Sequence, residues 1–196
     1  LNDGMDVYVI VIGEDSIESY SIESELIKNG INITRLKGPR MFNLFSYYSM
    51  YSKFRNEEFD IIHSHQPRSD FMVYKIKKYL SKKSKWIVSV HGKYDTYLEK
   101  GSLSNNLRKY FMKRLSKHWQ SASSIIAISE EVKSWIENLN HELTVVVIPY
   151  WIDIKSGETF EKKDIVTLGF LGRLNVNKGI EDLINACLLY TSDAAD

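Results

Sequence analysis

The sequence has little of what disulfide-linked, thiolate-metal and membrane-spanning proteins need. Its single cysteine, Cys187, excludes a disulfide framework and a cysteine-based metal site. No apolar run approaches the roughly 20 residues of a membrane-spanning helix, and no Asp-x-Asp pair indicates a divalent metal site. The 26 basic and 25 acidic residues nearly balance, which excludes the strongly basic composition typical of a nucleic-acid-binding domain. We therefore expect a cytoplasmic protein that holds no metal and binds no nucleic acid.

Apolar runs alternate along the chain with helical patterns. Strands are predicted at residues 7–12, 31–36, 59–62, 86–90, 124–128, 143–148 and 165–168. Helices are predicted at residues 17–28, 41–55, 69–80, 103–119 and 130–138, with Ile22, Leu26 and Ile27 on the inward face of the first. Strands separated by helices form βαβ units, so the predicted fold class is α/β, with doubly wound parallel sheets.

The alternation is interrupted at residues 149–164, a polar stretch with Pro149 and Gly157 that we interpret as an interdomain linker. Residues 1–148 then form an N-terminal domain, and residues 165–186 begin a second one. Residues 187–196 have neither a helix cap nor a periodic pattern, and they resemble the translation of a sequencing adapter. On that interpretation the natural chain is a fragment cut within its second domain; the alternative is a natural continuation of the helix.

A glycine-rich turn follows the last predicted strand. Residues 169–174 read Gly-Phe-Leu-Gly-Arg-Leu and are followed by Lys178, Gly179 and a helical pattern. Backbone amides of such a turn and of the first helical turn converge on an anion, usually a phosphate. Arg173 and Lys178 add two cations there, so Gly172, Arg173 and Lys178 are candidate phosphate-binding residues. The alternative is an ordinary strand-to-helix connection with solvated charges.

Polar residues follow three of the predicted strands, and ligands of open parallel sheets bind beyond the carboxyl ends of the strands. These segments are His63-Ser64-His65, His91-Gly92-Lys93 and Ser129-Glu130-Glu131. We interpret His63 as a core imidazole and expect His65 to point toward the cleft. His91 precedes Gly92, where the backbone can approach a ligand closely. Ser129 is either a helix cap or a cleft residue.

Taken in order, these segments resemble family 4 of the retaining, nucleotide-sugar-dependent glycosyltransferases, which have the two-domain GT-B fold. The matching segments are Phe59 to His65, Val90-His91-Gly92, Ile126 to Glu130, Val147-Ile148-Pro149 with Asp153, and Leu171 to Leu174 with Lys178-Gly179. The resemblance implies an incomplete N-terminal Rossmann-like domain followed by the first strand and helix of a second Rossmann-like domain.

The resemblance also implies roles for the candidate residues. Arg173 and Lys178, with Gly172, would bind the donor diphosphate, and His91 would lie beside the donor sugar as the catalytic residue. His65, Gly92 and Ser129 stay candidate residues of the acceptor and donor cleft. The implied reaction transfers a sugar from a nucleoside diphosphate to a sugar or lipid-linked acceptor, in polysaccharide or glycolipid biosynthesis. That reaction needs no metal and no cofactor besides the donor.

Three features depart from the family pattern. Tyr150 and Trp151 stand where the family usually has Asn-Gly. The family's first strand with its glycine-rich loop, expected before Leu1, and a downstream pair of glutamates are absent from this chain. We therefore expect the chain alone to be inactive. Two alternatives stay open, namely a nucleotide-sugar epimerase of related two-domain fold and a non-enzymatic Rossmann-like binding module.

The predicted helix 103–119 carries Lys109, Lys113 and Lys117 on one face. Such a face is either solvated or docks on anionic lipid. Docking would suit an enzyme with a lipid-linked acceptor and would place it at the inner face of the membrane.

Overall fold

The computed structural model describes residues 4–12, 17–36, 44–79, 83–94, 105–152, 168–172, 174 and 178–192. The chain divides into two compact units, Leu1–Trp151 and Ile152–Asp196, and this division falls inside the predicted linker. The strands described are β1 (Tyr8–Ile12), β2 (Asn32–Leu36), β3 (Ile61–His65), β4 (Lys85–Val90), β5 (Ser124–Ala127) and β6 (Val145–Val147). The α-helices described are α1 (Ile17–Lys28), α2 (Leu44–Phe54), α3 (Pro67–Ile76), α4 (Asn105–Trp119), α5 (Glu130–Leu139) and α6 (Ile180–Ser192), and a 3₁₀ turn, Lys77–Tyr79, follows α3.

The strands of the first unit pair in parallel, which confirms the predicted α/β class with parallel sheets. β1 pairs with β2, and β3 to β6 form a second sheet in the order β3-β4-β5-β6. Parallel neighbours need a crossover between them, and helices α1, α3, α4 and α5 supply the crossovers. The carboxyl ends of β3, β4 and β5 consequently lie at one edge of the larger sheet.

Strands β1 and β3 line opposite sides of a largely apolar cavity of about 120 Å³, but they are not hydrogen-bonded to each other. From β1 the chain continues to β2 on one side of this gap, and from β3 it continues outward to β6 on the other. The order of the strands thus reverses at the gap. In doubly wound sheets such a reversal marks the ligand-binding crevice, and here it lies beside the end of β3.

The core of the first unit contains a buried polar network. Asp70 on α3 is fully buried and accepts hydrogen bonds from Ser64 Oγ at 2.6 Å and from Trp119 Nε1 at 3.0 Å. Trp86 Nε1 donates to Ser64 Oγ at 2.9 Å, which links β4 to β3. Burial raises the pKa of Asp70 to about 7, although its two hydrogen bonds lower it in part. The network therefore ties α3 and α4 to the larger sheet through a carboxyl group that titrates near neutral pH.

Two expectations about burial are wrong. Ile22 and Ile27, expected to face inward, are 60% and 59% exposed, because α1 packs mainly against β2 of the two-stranded sheet. The strand predicted as buried at residues 59–62 is β3, which extends through His65, and Ile61 is 56% exposed because β3 borders the gap. Its His-Ser-His ending is therefore part of the strand itself.

Part of the second unit lies outside the described residues. The strand predicted at 165–168 falls there except for Leu168, which is not in a strand, and Asp153 of the linker also falls there. Helix α6 extends to Ser192, into the segment predicted to be an adapter translation, and Cys187 is exposed on it. Among the helices of the described part, none is both long and apolar enough to span a bilayer.

Candidate functional site

Three histidines meet at the carboxyl ends of β3 and β4. His63 and His65 are two residues apart on β3, so they share one face, and their ring centroids are 4.2 Å apart. His65 pairs in register with Ser89, and His91 directly follows the last residue of β4. The rings of His65 and His91 stack with their centroids 5.1 Å apart. The structure thus brings together two of the candidate residues predicted from the strand ends.

Hydrogen bonds join these rings to a tyrosine. His65 Nδ1 and His91 Nε2 are 2.8 Å apart, and His91 Nδ1 is hydrogen-bonded to the hydroxyl group of Tyr150, whose ring is nearly parallel to that of His91. Tyr150 lies just after β6. His63 Nε2 is bonded separately to Ser89 Oγ at 2.8 Å. The result is a hydrogen-bonded chain of three rings, His65–His91–Tyr150, which we call the ring chain.

The environment keeps the imidazoles uncharged. Burial, with smaller contributions from the neighbouring His63 and His91, lowers the pKa of His65 to about 4. Burial also lowers the pKa values of His91 and His63. A neutral imidazole offers one N–H donor and one acceptor nitrogen. At neutral pH the cluster therefore suits the hydroxyl groups of a polar uncharged ligand better than the charges of a phosphate.

The interpretation of His63 as a core imidazole is wrong. Its side chain is exposed, although its Nε2 atom does have the hydrogen-bond partner expected of a core residue.

The backbone between β3 and α3 is strained at Gln66. Its φ of 77° and ψ of 153° are values that residues other than glycine rarely adopt, and such a conformation costs about 1–3 kcal/mol. Ser69 helps to hold it, because its hydroxyl group donates to the carbonyl oxygens of His65 and Gln66. Pro67 opens the helix immediately afterwards. This turn fixes the end of β3 and therefore the position of His65.

Ser129 and the segment after His91 lie at the same edge of the sheet. Ser129 Oγ accepts a hydrogen bond from the Val132 amide at 3.2 Å, which confirms that Ser129 caps α5. Lys93 Nζ contacts Glu131 Oε1 at 2.6 Å and connects the end of β4 to the first turn of α5. Gly92 is half-buried beside this link. The roles of Gly92 and Ser129 in a ligand cleft stay predictions.

In the second unit, Lys178 and Gly172 are exposed, and Arg173 lies outside the described residues. Lys178 comes two residues before the first residue of α6. Gly179 between them has a φ of +68°, a left-handed conformation that favours glycine, and its carbonyl accepts from the Leu183 amide at 3.0 Å. Lys178 is therefore placed at a helix N-terminus. The diphosphate-binding roles of all three residues stay predictions.

Sequence reasoning missed three features of this region. Tyr150 was expected only to alter the linker, because nothing in its neighbourhood indicates a bond to His91. The strained backbone at Gln66 was missed because a positive φ is normally predicted from a glycine, and this position is a glutamine. Asp70 did have a signal, since it is an acidic residue on the apolar face of α3. Within the residues that the structure describes, no group of three or more His, Cys, Asp or Glu side chains could hold a metal ion.

Comparison with known proteins relates this geometry to enzymes that act on sugars. The sequence profile of the family described as Glycosyltransferase Family 4 matches residues 2–156. An uncharacterized glycosyltransferase of Methanocaldococcus jannaschii is 27% identical over 200 aligned residues, which cover 91% of this chain and 50% of that protein. The chain thus spans about half the length of this relative.

Proposed function

Because the chain belongs to glycosyltransferase family 4, we propose that the whole protein transfers a sugar from a nucleoside-diphosphate sugar to an acceptor, with retention of the anomeric configuration. The observation that carries this proposal is the ring chain. It places uncharged donors and acceptors at the carboxyl ends of parallel strands, as the binding of a sugar requires. His91 belongs to the donor-sugar site in this proposal, with His65, Gly92 and Ser129 around it.

The proposed chemistry requires stabilisation of the leaving group. Negative charge develops on the departing diphosphate as its bond to the sugar breaks. Lys178 and Arg173 would stabilise that charge, together with the amides at Gly172 and at the start of α6. The proposed reaction requires no metal, because two cations and a helix N-terminus supply the positive charge.

The transfer is tested with the whole protein, a panel of labelled nucleoside-diphosphate hexoses, and sugar and lipid-linked acceptors. We expect acceptor-dependent release of nucleoside diphosphate and a product whose anomeric configuration, measured by NMR, is that of the donor. His91→Ala should lower turnover by about tenfold, the value of a lost hydrogen bond, with a smaller loss of nucleoside-diphosphate affinity. His141→Ala is the matched control, because His141 is exposed in the turn before β6.

Other outcomes would identify the alternatives. Conversion of the donor sugar without any acceptor would indicate an epimerase, and nucleotide binding without turnover would indicate a binding module. Inversion at the anomeric carbon would contradict the retaining mechanism.

The helical face of the first unit supports a lipid-linked acceptor in polysaccharide or glycolipid biosynthesis. Leu107 and Tyr110 on α4 are 49% and 61% exposed, whereas Met112, Leu115 and Trp119 form its buried face. They lie among the exposed lysines 109, 113 and 117. A groove of about 730 Å³ is lined by residues of α2, α3 and the 3₁₀ turn with one residue of α4, namely Tyr47, Tyr48, Tyr51, Phe71, Lys75, Ile76, Lys78, Tyr79 and Arg114. Aromatic and cationic side chains together suit an anionic lipid surface, so the proposal includes peripheral contact with the inner face of the membrane.

Membrane contact is tested by flotation of the whole protein with vesicles. We expect binding to vesicles that contain anionic phospholipid and release by salt, because each basic residue near such a surface contributes about 1 kcal/mol. Replacing Lys109, Lys113 and Lys117 by glutamate should abolish flotation, whereas Lys28→Glu on α1 should leave it unchanged. Binding that is indifferent to lipid charge and to salt would contradict the proposal and favour a solvated helix face.

A further inference from the structure

Both ring nitrogens of His91 are already used inside the ring chain. Nε2 is bonded to His65 and Nδ1 to Tyr150. His65, in contrast, uses only Nδ1, and its Nε2 atom has no hydrogen-bond partner among the described residues. The side chain of His65 is also exposed, whereas that of His91 is half-buried. The nitrogen that is open to a ligand therefore belongs to His65.

The direction of the hydrogen bonds follows from the chemistry of the two ring types. A phenol is a better donor than a neutral imidazole, and an imidazole nitrogen is a better acceptor than a phenol oxygen, so the hydroxyl group of Tyr150 donates to His91 Nδ1. The neutral ring of His91 then carries its proton on Nε2 and donates it to His65 Nδ1. His65 in turn carries its proton on Nε2, where it is directed out of the ring chain.

We propose that Tyr150 fixes the proton positions of both histidines, so that His65 presents Nε2–H as a hydrogen-bond donor to a hydroxyl oxygen of the bound sugar. His91 is a positioning residue between them. The inference rests on the proposed function and adds to it a direct contact between His65 and the sugar, and a positioning residue, Tyr150, after β6.

Two replacements of His65 distinguish between its two possible roles, which are direct contact with the sugar and support of the His91 ring. In His65→Gln an amide nitrogen takes the place of Nε2, and the Nδ1 contact is lost. In His65→Asn the amide takes the place of Nδ1, and the outward donor is lost. We expect kcat/KM of the whole protein to be about tenfold lower in His65→Asn than in His65→Gln, the value of one hydrogen bond. The reverse order would show that His65 only supports His91 and would overturn the inference.

The proton positions are measured directly by NMR of the whole protein labelled with ¹⁵N-histidine. We expect both His65 and His91 to be neutral and protonated on Nε2. In Tyr150→Phe, which removes only the hydroxyl group, His91 should become a mixture of tautomers. Tyr8→Phe is the matched control, because the Tyr8 hydroxyl group is bonded to Thr34 at the opposite end of the strands. His91 protonated on Nδ1 in the unaltered protein would overturn the inference.

Titration with UDP-glucose and GDP-mannose distinguishes this inference from the proposed function. A donor that shifts the His65 Nε2 signal, without transfer to any acceptor, supports the inference and contradicts the proposed transferase activity. Transfer with an unmoved His65 signal contradicts the inference and leaves the proposed function standing. Neither a shift nor transfer with these donors would contradict both.

Discussion

We expect Arg173→Ala and Lys178→Ala each to lower turnover of the whole protein by about 10²–10³-fold, or roughly 3–4 kcal/mol. In the proposed site a diphosphate would meet these two cations together with the amides of the glycine-rich turn and of the start of α6. The charge that they would stabilise is larger in the transition state than in the bound donor, so turnover should fall more than donor affinity. Lys178 is exposed, so its replacement should disturb folding little. Arg173→Lys should restore activity only in part, because a planar guanidinium can bind two phosphate oxygens at once.

The measurement pairs turnover with nucleoside-diphosphate affinity and thermal stability for each variant. Lys28→Ala is the control for loss of a lysine, because Lys28 is exposed at the end of α1. His91→Ala should retain more nucleoside-diphosphate affinity than either cation variant, because the ring chain that it would disrupt is assigned to the sugar and not to the diphosphate. Unchanged affinity and turnover in Arg173→Ala would remove the diphosphate assignment.

The second large effect is a dependence of stability on pH that originates at Asp70. The pKa of this carboxyl group is about 7 in the folded protein and about 3.8 ordinarily, so between these values the folded state binds a proton that the unfolded state has released. Its contribution to the free energy of unfolding is therefore fully present below pH 4 and declines as the pH rises to 7. The decline is about 4 kcal/mol at most.

The histidines act in the opposite direction. Partial removal from water lowers the pKa values of His65 and His118 to about 4, so the contribution of each to the free energy of unfolding declines as the pH falls below about 6.5. The contribution of Asp70 must therefore be isolated by comparison with Asp70→Asn. The asparagine amide can still accept from Trp119 and donate to Ser64, but it does not titrate.

We expect urea unfolding of the whole protein to show that Asp70→Asn gains stability relative to the unaltered protein as the pH rises from 4 to 7. The gain should continue across that range, because the unaltered carboxyl group loses its contribution progressively there. Parallel stability curves for the two proteins would contradict the assignment.

Sequence patterns located most helices and strands of the first unit. The predicted bounds were most accurate where the local sequence has strong capping and periodicity signals. Helix α5 was predicted to within one residue, because Ser129 caps it, two acidic residues fill its first turn and its apolar period is strong. Strand β3 was predicted too short, because the polar pattern His-Ser-His reads as the end of a strand. Ile22 and Ile27 show a further limit, since periodicity identifies an apolar face but does not reveal what covers it.

The parts of the candidate site that follow from the order and direction of the strands could be predicted from the sequence, and the other parts could not. His65 and His91 come together because parallel strands end at one edge, a rule that needs no coordinates. Tyr150 could not be assigned, because its bond to His91 depends on the path of the chain after β6. Gln66 could not be assigned either, since its backbone conformation is imposed by its neighbours and not by its own side chain.

The gap between β1 and β3 has a consequence for motion within the first unit. Cooperative opening of a protein follows its hydrogen-bonded and packed units, and separately paired sheets can open at different free energies. The pair β1–β2 has two strands where the larger sheet has four, and its strands are hydrogen-bonded to each other and not to the larger sheet, so we expect this pair to open at the lower free energy. The ring chain is built on β3 and on the segments that directly follow β4 and β6, which are strands of the larger sheet. Transient unfolding of the smaller sheet therefore exposes one wall of the crevice to water while the three hydrogen-bonded rings stay together.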